Sequence, residues 1–282
     1  MINLNDSAYS SDTLEILQDT GSTRVRKVFT SDLIRSAKNV QKQRDFQPLQ
    51  AGKTMISAAE VISYEEYPDA SHLIMPYIEG ITGSMFAIHS SRQTAQTLST
   101  ALSTLTHAEL ARSTDISCSR SLLLDKGNQI EAKTLHTQLK PLIRQGCTKL
   151  LQLPETLIFP LGPCHGDLTL SNVILNPVDG ITVIDFLDTF LETPLQDVAK
   201  LKQDFIYGWS FRNSSSTLQV KGEVLCKHYL PSAVMQLEQL YAPQVKALTL
   251  LCLMRIAPYI KDDVTLEWLS TSLINCLLID LI

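Results

Sequence analysis

The sequence predicts a two-lobed α+β fold, in which a small N-terminal β-sheet lobe sits over a larger and mostly helical C-terminal lobe. Three observations predict it. The first 80 residues carry short β-branched, alternating runs around one polar helix. From Ser84 onward helical periodicity dominates. That helical part is interrupted once, over Phe159–Phe190, by short β-rich runs and polar loops. Gly80 to Gly83 marks the boundary, so lobes of residues 1–80 and 81–282 are expected.

Each element follows from local pattern. Thr13–Asp19 and Thr23–Thr30 flank the turn Asp19-Thr20-Gly21-Ser22 and read as a hairpin. Ser31-Asp32 offers an N-cap for a helix running to about Leu49. Apolar runs at Ala58–Ser63 and His72–Ile78, separated by the turn-rich Tyr67-Pro68-Asp69-Ala70-Ser71, read as two more strands. Helical stretches follow at Ser84–Arg112, Gln129–Leu151, Leu195–Trp209, Thr217–Leu240 and, with breaks, Pro243–Ile282. Between them Val173–Leu175 and Ile181–Ile184 read as strands.

Composition narrows the function. The 282 residues are 44% hydrophobic and 19% charged, which suits a packed core and not a disordered chain. A net charge of −5 lacks the basic surplus needed to neutralise a phosphate backbone, so no nucleic-acid partner is expected. The six cysteines show no CxxC pairing, which argues against zinc and a disulfide framework and for a reducing compartment. No leader-like segment opens the sequence, and a cytoplasmic location is expected. The most apolar segments, Ala247–Met254 and Leu269–Ile282, fall short of the roughly 20 residues of a membrane span, so no membrane partner is expected. The apolar C-terminus serves either the core or a homodimer.

The chemistry concentrates in Cys164–Ile174 and Val183–Asp188. Phosphoryl transfer requires an oriented carboxylate at the acceptor hydroxyl and oxygen ligands for a hard cation. Asp167 is the candidate base or hydroxyl-orienting group. Asn172, five residues on, and Asp185, thirteen further at the end of an apolar strand, are candidate Mg²⁺ ligands.

Here the sequence resembles the aminoglycoside phosphotransferase and choline kinase-like family of the protein-kinase-like superfamily. The likeness rests on an HxDxxxxN loop at His165, Asp167 and Asn172, and on Asp185 in IDFLD. It continues into Thr193–Ala199 (TPLQDVA), similar to the family's DPxxDLA with Thr193 in place of the first Asp. It covers about Phe159–Lys202 and implies a bilobal protein-kinase-like fold, ATP or GTP as phosphate donor, Mg²⁺, and a small-molecule hydroxyl acceptor. It also implies that His165 organises the loop and that Asp197 supports it from behind. Asp188 reads either as a further metal or acceptor contact or as an exposed loop carboxylate.

In the N-terminal lobe the resemblance implies that Lys27 contacts the nucleotide's phosphates; the alternative is a solvated strand lysine. Alternation puts Arg24 and Arg26 on the other face. The family's helix glutamate is absent, leaving Gln41, Gln43 or Asp45 as the expected partner of Lys27. Ser10 and Ser11 stand where a glycine-rich phosphate loop is expected, although a frayed polar terminus reads the same way. His72–Gly80 resembles the interlobe linker, whose backbone near Met75 and Tyr77 would receive the purine. The acceptor pocket is expected within Asp188–Phe211 and the helices after Thr217, a region holding Glu192, Asp204, Tyr207, Trp209 and Arg212. A regulatory pseudokinase that binds nucleotide without turnover, or another transferase activity on the same fold, is the competing reading.

Overall fold

A computed structural model of the chain describes residues 12–19, 21–83, 85–86, 90–176 and 180–279. Strands β1 (Thr13–Asp19) and β2 (Ser22–Phe29) form the expected hairpin, in register from Thr13↔Val28 to Asp19↔Ser22. Gly21 takes φ +103°, a conformation costly for any residue with a Cβ. Helix α1 (Leu33–Asp45) begins where Asp32 caps the amide of Arg35 and ends before Leu49. Strands β3 (Leu49–Ala51), β4 (Thr54–Ala58), β5 (Ser63–Glu66) and β6 (Ser71–Pro76) follow.

The expected strand Ala58–Ser63 is instead a crossing between two sheets. The Ala59 amide donates to Val183 O and the Ile62 amide to Ile74 O, so each end of the segment pairs with a different sheet. One sheet has the order β1-β2-β6-β5. The other, β3-β4-β11-β10-β7, takes in β7 (Ile81–Thr82), β10 (Val173–Asn176) and β11 (Gly180–Val183). Within it β4 runs parallel to β11, which stitches the hairpin carrying the motif residues to strands from before Gly80.

The rest is mostly helical. Helix α2 (Arg92–Ala111) is capped by Ser91. A two-stranded ribbon, β8 (Thr114–Ser119) with β9 (Thr156–Leu161), brackets α3 (Arg120–Lys133) and α4 (Lys140–Leu151). The single helix expected over Gln129–Leu151 is thus two, because Thr134 closes α3 and Pro141 opens α4. Pro231 likewise splits Thr217–Leu240 into α6 (Ser216–His228) and α7 (Ser232–Leu240). Helix α5 (Pro194–Phe205) is buried along its whole length and packs on α8 (Ala242–Met254); α9 (Asp263–Leu277) follows.

The result is a bilobal fold with two cores. A small one of Phe29, Val40, Ala59, Leu73 and Met75 lies under the first sheet, and a large one runs from Ala51 through the helices to Leu277. Among the described residues no single helix is long and apolar enough to cross a membrane.

Candidate active site

The loop at Cys164–Asn172 is shaped by backbone contacts that its sequence makes available. Gly166 has φ +87°, and a Cβ there would lie 2.1 Å from Leu187 O, so only glycine lets the two loops approach. The Leu187 amide donates to His165 O at 2.9 Å. From the first turn of α5, Asp197 accepts from the amides of His165 (2.5 Å) and Gly166 (2.7 Å). Two α-helical turns further along, Asp204 accepts from the amide of Leu170 (2.5 Å) and from Ser210.

Burial sets the protonation of these supports. His165 Nε2 donates to Ile184 O at 2.7 Å while its Nδ1 accepts from the Asp167 amide at 3.2 Å, so the ring is a neutral, single tautomer. Burial lowers its pKa, consistent with that state. Its ring rests on Phe186 at 4.3 Å. Burial lifts the Asp204 carboxyl to about 6 against its three hydrogen bonds. Burial, and then the charge of Asp197, push the carboxyl of Glu109 on α2 well above the usual range, so Glu109 sits protonated beside Asp197.

Asp167 is held at both oxygens. Lys200 Nζ lies 2.9 Å from Oδ1, and Asn172 Nδ2 donates to Oδ2 at 3.0 Å and to the Asp167 carbonyl at 2.8 Å. Burial works to raise its pKa, but the charge and hydrogen bond of Lys200 outweigh that and hold the carboxyl below its usual value. The side chain is still 31% exposed, which leaves room for an incoming group. With the Asn172 nitrogen committed to Asp167, its amide oxygen is the atom left for a cation.

Asp185 takes the left-handed φ of +62° and places Oδ1 3.1 Å from Lys27 Nζ. Lys27 also meets Asp12 Oδ2 at 3.7 Å and lies over the Phe29 ring. Burial works against its charge, yet Asp185 and Asp12 hold its pKa above the ordinary value. Arg26 pairs with Glu15 on the opposite, exposed face, as alternation predicts.

The expected helix partner of Lys27 is corrected here. Gln43 is buried against Ala59 O and Met75 Sδ, and Gln41 bonds Asp45 at the surface, so none of the three reaches the lysine. Instead α1 grips the loop after Asp185. Arg35 donates to Asp188 O (2.8 Å), Asn39 accepts the Asp188 amide (2.6 Å), and Lys38 approaches the Asp188 carboxylate. Lys42 pairs with Glu192 (2.6 Å) and donates to Leu187 O.

Asp167 thus contacts Asn172, and Asp185 contacts Lys27; the two pairs are joined through the Ile184 amide, which donates to Asn172 O, and the Asp167 charge also helps hold the Lys27 pKa up. Met75 stands on β6 opposite Val25, two residues along from the Lys27–Leu73 pair, and Tyr77 follows the strand; the Met75 side chain is buried, and the Tyr77 amide already donates to Thr23 O. Ser10 and Ser11 lie outside the described residues. Lys200 was not foreseen, yet Asp197, Lys200 and Asp204 stand at i, i+3 and i+7, the spacing of one helix face. That stripe is the signal that could have found it. Lys42 left no comparable trace.

A lysine-bearing sheet above a carboxylate, with a helical lobe presenting a second carboxylate on a tightly held loop, defines the bilobal protein-kinase-like class. The profile of the phosphotransferase enzyme family matches residues 2–231. The chain belongs to that family, in the aminoglycoside-phosphotransferase and choline-kinase-like branch of the superfamily. Among solved structures it is similar to the apo form of a thermostable mutant of the aminoglycoside phosphotransferase APH(4)-Ia. The TM-score is 0.60 at 13% identity, over 95% of this chain and 90% of that one. It is also similar to the choline kinase LicA from Streptococcus pneumoniae, with TM-score 0.53 at 15% identity, over 94% and 89%. Those likenesses carry the fold. No curated protein matches the sequence.

Proposed function

We propose that this protein transfers the γ-phosphate of ATP or GTP to a hydroxyl of a small molecule. In this reading residues 1–80 grip the nucleotide and residues 81–282 hold the acceptor. The observation that carries it is the Asp167 carboxylate, ionised and fixed between Lys200 and Asn172, with one third of its side chain open. Acceptors named for the similar structures, an aminoglycoside or choline, mark the class of compound and not this protein's own substrate.

Asp167 orients the acceptor hydroxyl. As the acceptor oxygen bonds to the γ-phosphorus, the bond to the β–γ bridging oxygen breaks, the nucleoside diphosphate leaves, and the hydroxyl proton passes to the Asp167 carboxylate. Because Lys200 keeps that carboxyl acidic, Asp167 works mainly by orientation and takes the proton late. Lys27 contacts the donor's phosphates, and the linker near Met75 and Tyr77 receives the base. Ser10 and Ser11 are proposed phosphate contacts.

The donor set fits Mg²⁺. Among the described residues no three His, Cys, Asp or Glu side chains cluster as an all-protein metal cage. Mg²⁺ seldom uses one, taking one or two protein oxygens together with substrate phosphates. Asn172 Oδ1 and the Asp185 carboxylate would hold it. When bound, it neutralises charge on the phosphates.

The test is a Mg²⁺-dependent rise in melting temperature with ATP or GTP, followed by acceptor-dependent release of the diphosphate. Stabilisation without release for any hydroxyl acceptor would favour the pseudokinase reading. No stabilisation by either nucleotide at millimolar concentration would overturn both.

A further inference from the structure

Asp185 lies on a segment held from two sides. The loop Cys164–Asn172 holds one of them: the Ile184 amide donates to Asn172 O, Ile184 O accepts from His165 Nε2, and the Leu187 amide donates to His165 O. Between these points Asp185 keeps its left-handed φ of +62°, a conformation that persists only where its surroundings fix it.

Helix α1 holds the other side. Its Ser36, Val40 and Gln43 are buried in the N-terminal lobe, where the Ser36 hydroxyl meets Ser71 on β6, in the sheet that carries Lys27. Its opposite face reaches the segment after Asp185. Arg35 donates to Asp188 O and Asn39 accepts the Asp188 amide, while Phe46, just past the helix, packs edge-on against Phe186 with ring centroids 5.6 Å apart. One rigid element therefore packs both on the lysine's sheet and on the carboxylate's loop.

These contacts concentrate at Lys42. Its Nζ lies 2.6 Å from Glu192 Oε2, donates to Leu187 O at 2.7 Å, and stands 3.7 Å from Cys164 Sγ. Glu192 Oε1 in turn accepts from the Thr189 amide (2.7 Å) and hydroxyl (2.9 Å). A single ammonium thus ties α1 to the start of one loop and to both ends of the turn Leu187–Glu192. The Lys42 side chain is only 18% exposed, so water screens the pair in part. Burial works to raise the Glu192 carboxyl, but Lys42 and Thr189 outweigh it and keep the group ionised. The carbonyl that Lys42 holds is also the atom 2.1 Å from which a Cβ on Gly166 would lie, so a shift of Leu187 is felt at the residue beside Asp167.

We propose that Lys42 is a positioning residue for phosphotransfer: through Leu187 O and Glu192 it sets the place of the Asp185 carboxylate relative to Asn172, and with it the affinity for Mg²⁺. Lys42 does this without touching donor, acceptor or metal. The inference rests on the reading of Asn172 and Asp185 as Mg²⁺ ligands. Groups that orient a metal ligand from behind are typically worth about 10- to 100-fold in metal affinity or activity.

The experiment uses the full chain as wild type, Lys42→Met and Lys42→Arg. Hydrogen exchange of the nucleotide-free protein reads the amides of Leu187, Asp188 and Thr189, which are bonded to His165 O, Asn39 Oδ1 and Glu192 Oε1. Lys42→Met is expected to speed exchange there about 10-fold while β10 and β11 stay as protected as in the wild type. Lys42→Arg, whose fork can engage a carbonyl and a carboxylate together, is expected to restore the protection. The Mg²⁺ concentration for half-maximal binding of a non-hydrolysable ATP analogue is expected to rise about 10-fold in Lys42→Met and to return in Lys42→Arg.

Exchange in Lys42→Met equal to that of the wild type would overturn the proposal. A loosened segment with an unmoved Mg²⁺ requirement would overturn it as well, because Lys42 would then be only structural. Where Lys42→Met loosens β10 and β11 too, Glu192→Gln, which keeps an oxygen for Thr189, is judged by the same two criteria. Absence of Mg²⁺-dependent binding by the wild type counts against phosphotransfer, while the exchange rates judge the hold of Lys42 on the segment by themselves.

Discussion

On the floor of the cleft, Asp167 meets Lys200 and Asn172 from its own lobe, and the loop beneath it hangs on Asp197 and Asp204 of one buried helix. On the roof, Lys27 rises from a sheet with a five-residue core, and its nearest carboxylate, Asp185, comes from across the cleft. The floor is thus pre-organised by contacts within a single large core, where interior packing resists displacement. The Lys27–Asp185 pair is formed between two cores, so its geometry depends on how they meet. On the proposed function, chemistry is built into the floor and the roof supplies charge to it.

That contrast is broken most directly at Asp167. Asp167→Ala is expected to lower kcat by about 10³-fold while leaving the melting shift with Mg²⁺-ATP in place, because the proposed role of the residue is to orient the acceptor and not the donor. A steady-state assay alongside thermal melts checks it. Near-normal turnover would remove Asp167 from its role.

The next effect concerns the floor's support. The folded Asp204 carboxyl titrates at about 6, above its ordinary 3.8. Its contribution to stability is therefore full below pH 3.8 and is lost as the pH rises through about 6, a change on the order of 3 kcal/mol. Denaturant unfolding of wild type and Asp204→Asn from pH 4 to 7 should show the difference between them changing across that window. A constant difference would mean that Asp204 is not held against its ionisation.

On the roof, Lys27→Met is expected to reduce kcat/KM for ATP by about 10²-fold, as loss of one preorganised charge usually does. If the roof matters as much as the floor, the loss will approach that of Asp167→Ala. The smallest effect is expected at Lys200. Lys200→Met removes the main influence holding the Asp167 carboxyl low, so the acid limb of the pH–rate profile should move to higher pH with about a 10-fold loss in kcat. An unmoved limb would show that Lys200 is only structural.

Local pattern carried much of this. The hairpin Thr13–Phe29 and the cap at Asp32 are short-range features, as are Val173–Asn176 and Gly180–Val183. The spacing of His165, Asp167, Asn172 and Asp185 marked the groups that converge. What escaped had long-range causes. β8 gains its strand only by pairing with β9 across two intervening helices. The Ala59–Ile62 crossing depends on which two sheets lie on either side. The partner expected for Lys27 on α1 does not reach it because that helix turns Gln43 into the small core and its cations toward Leu187 and Asp188.

By itself, then, the sequence determined the lobes' local elements, the phosphotransferase motif and the identity of the groups that meet Asp167 from within its own loop. Those follow from residue type at short spacing, where the chain has few ways to fold. Only the tertiary structure decided that Lys27 pairs with Asp185 and that Lys200 sits on Asp167. Each contact joins residues far apart in the chain, the first where the two cores meet and the second where buried α5 packs beneath the Asp167 loop.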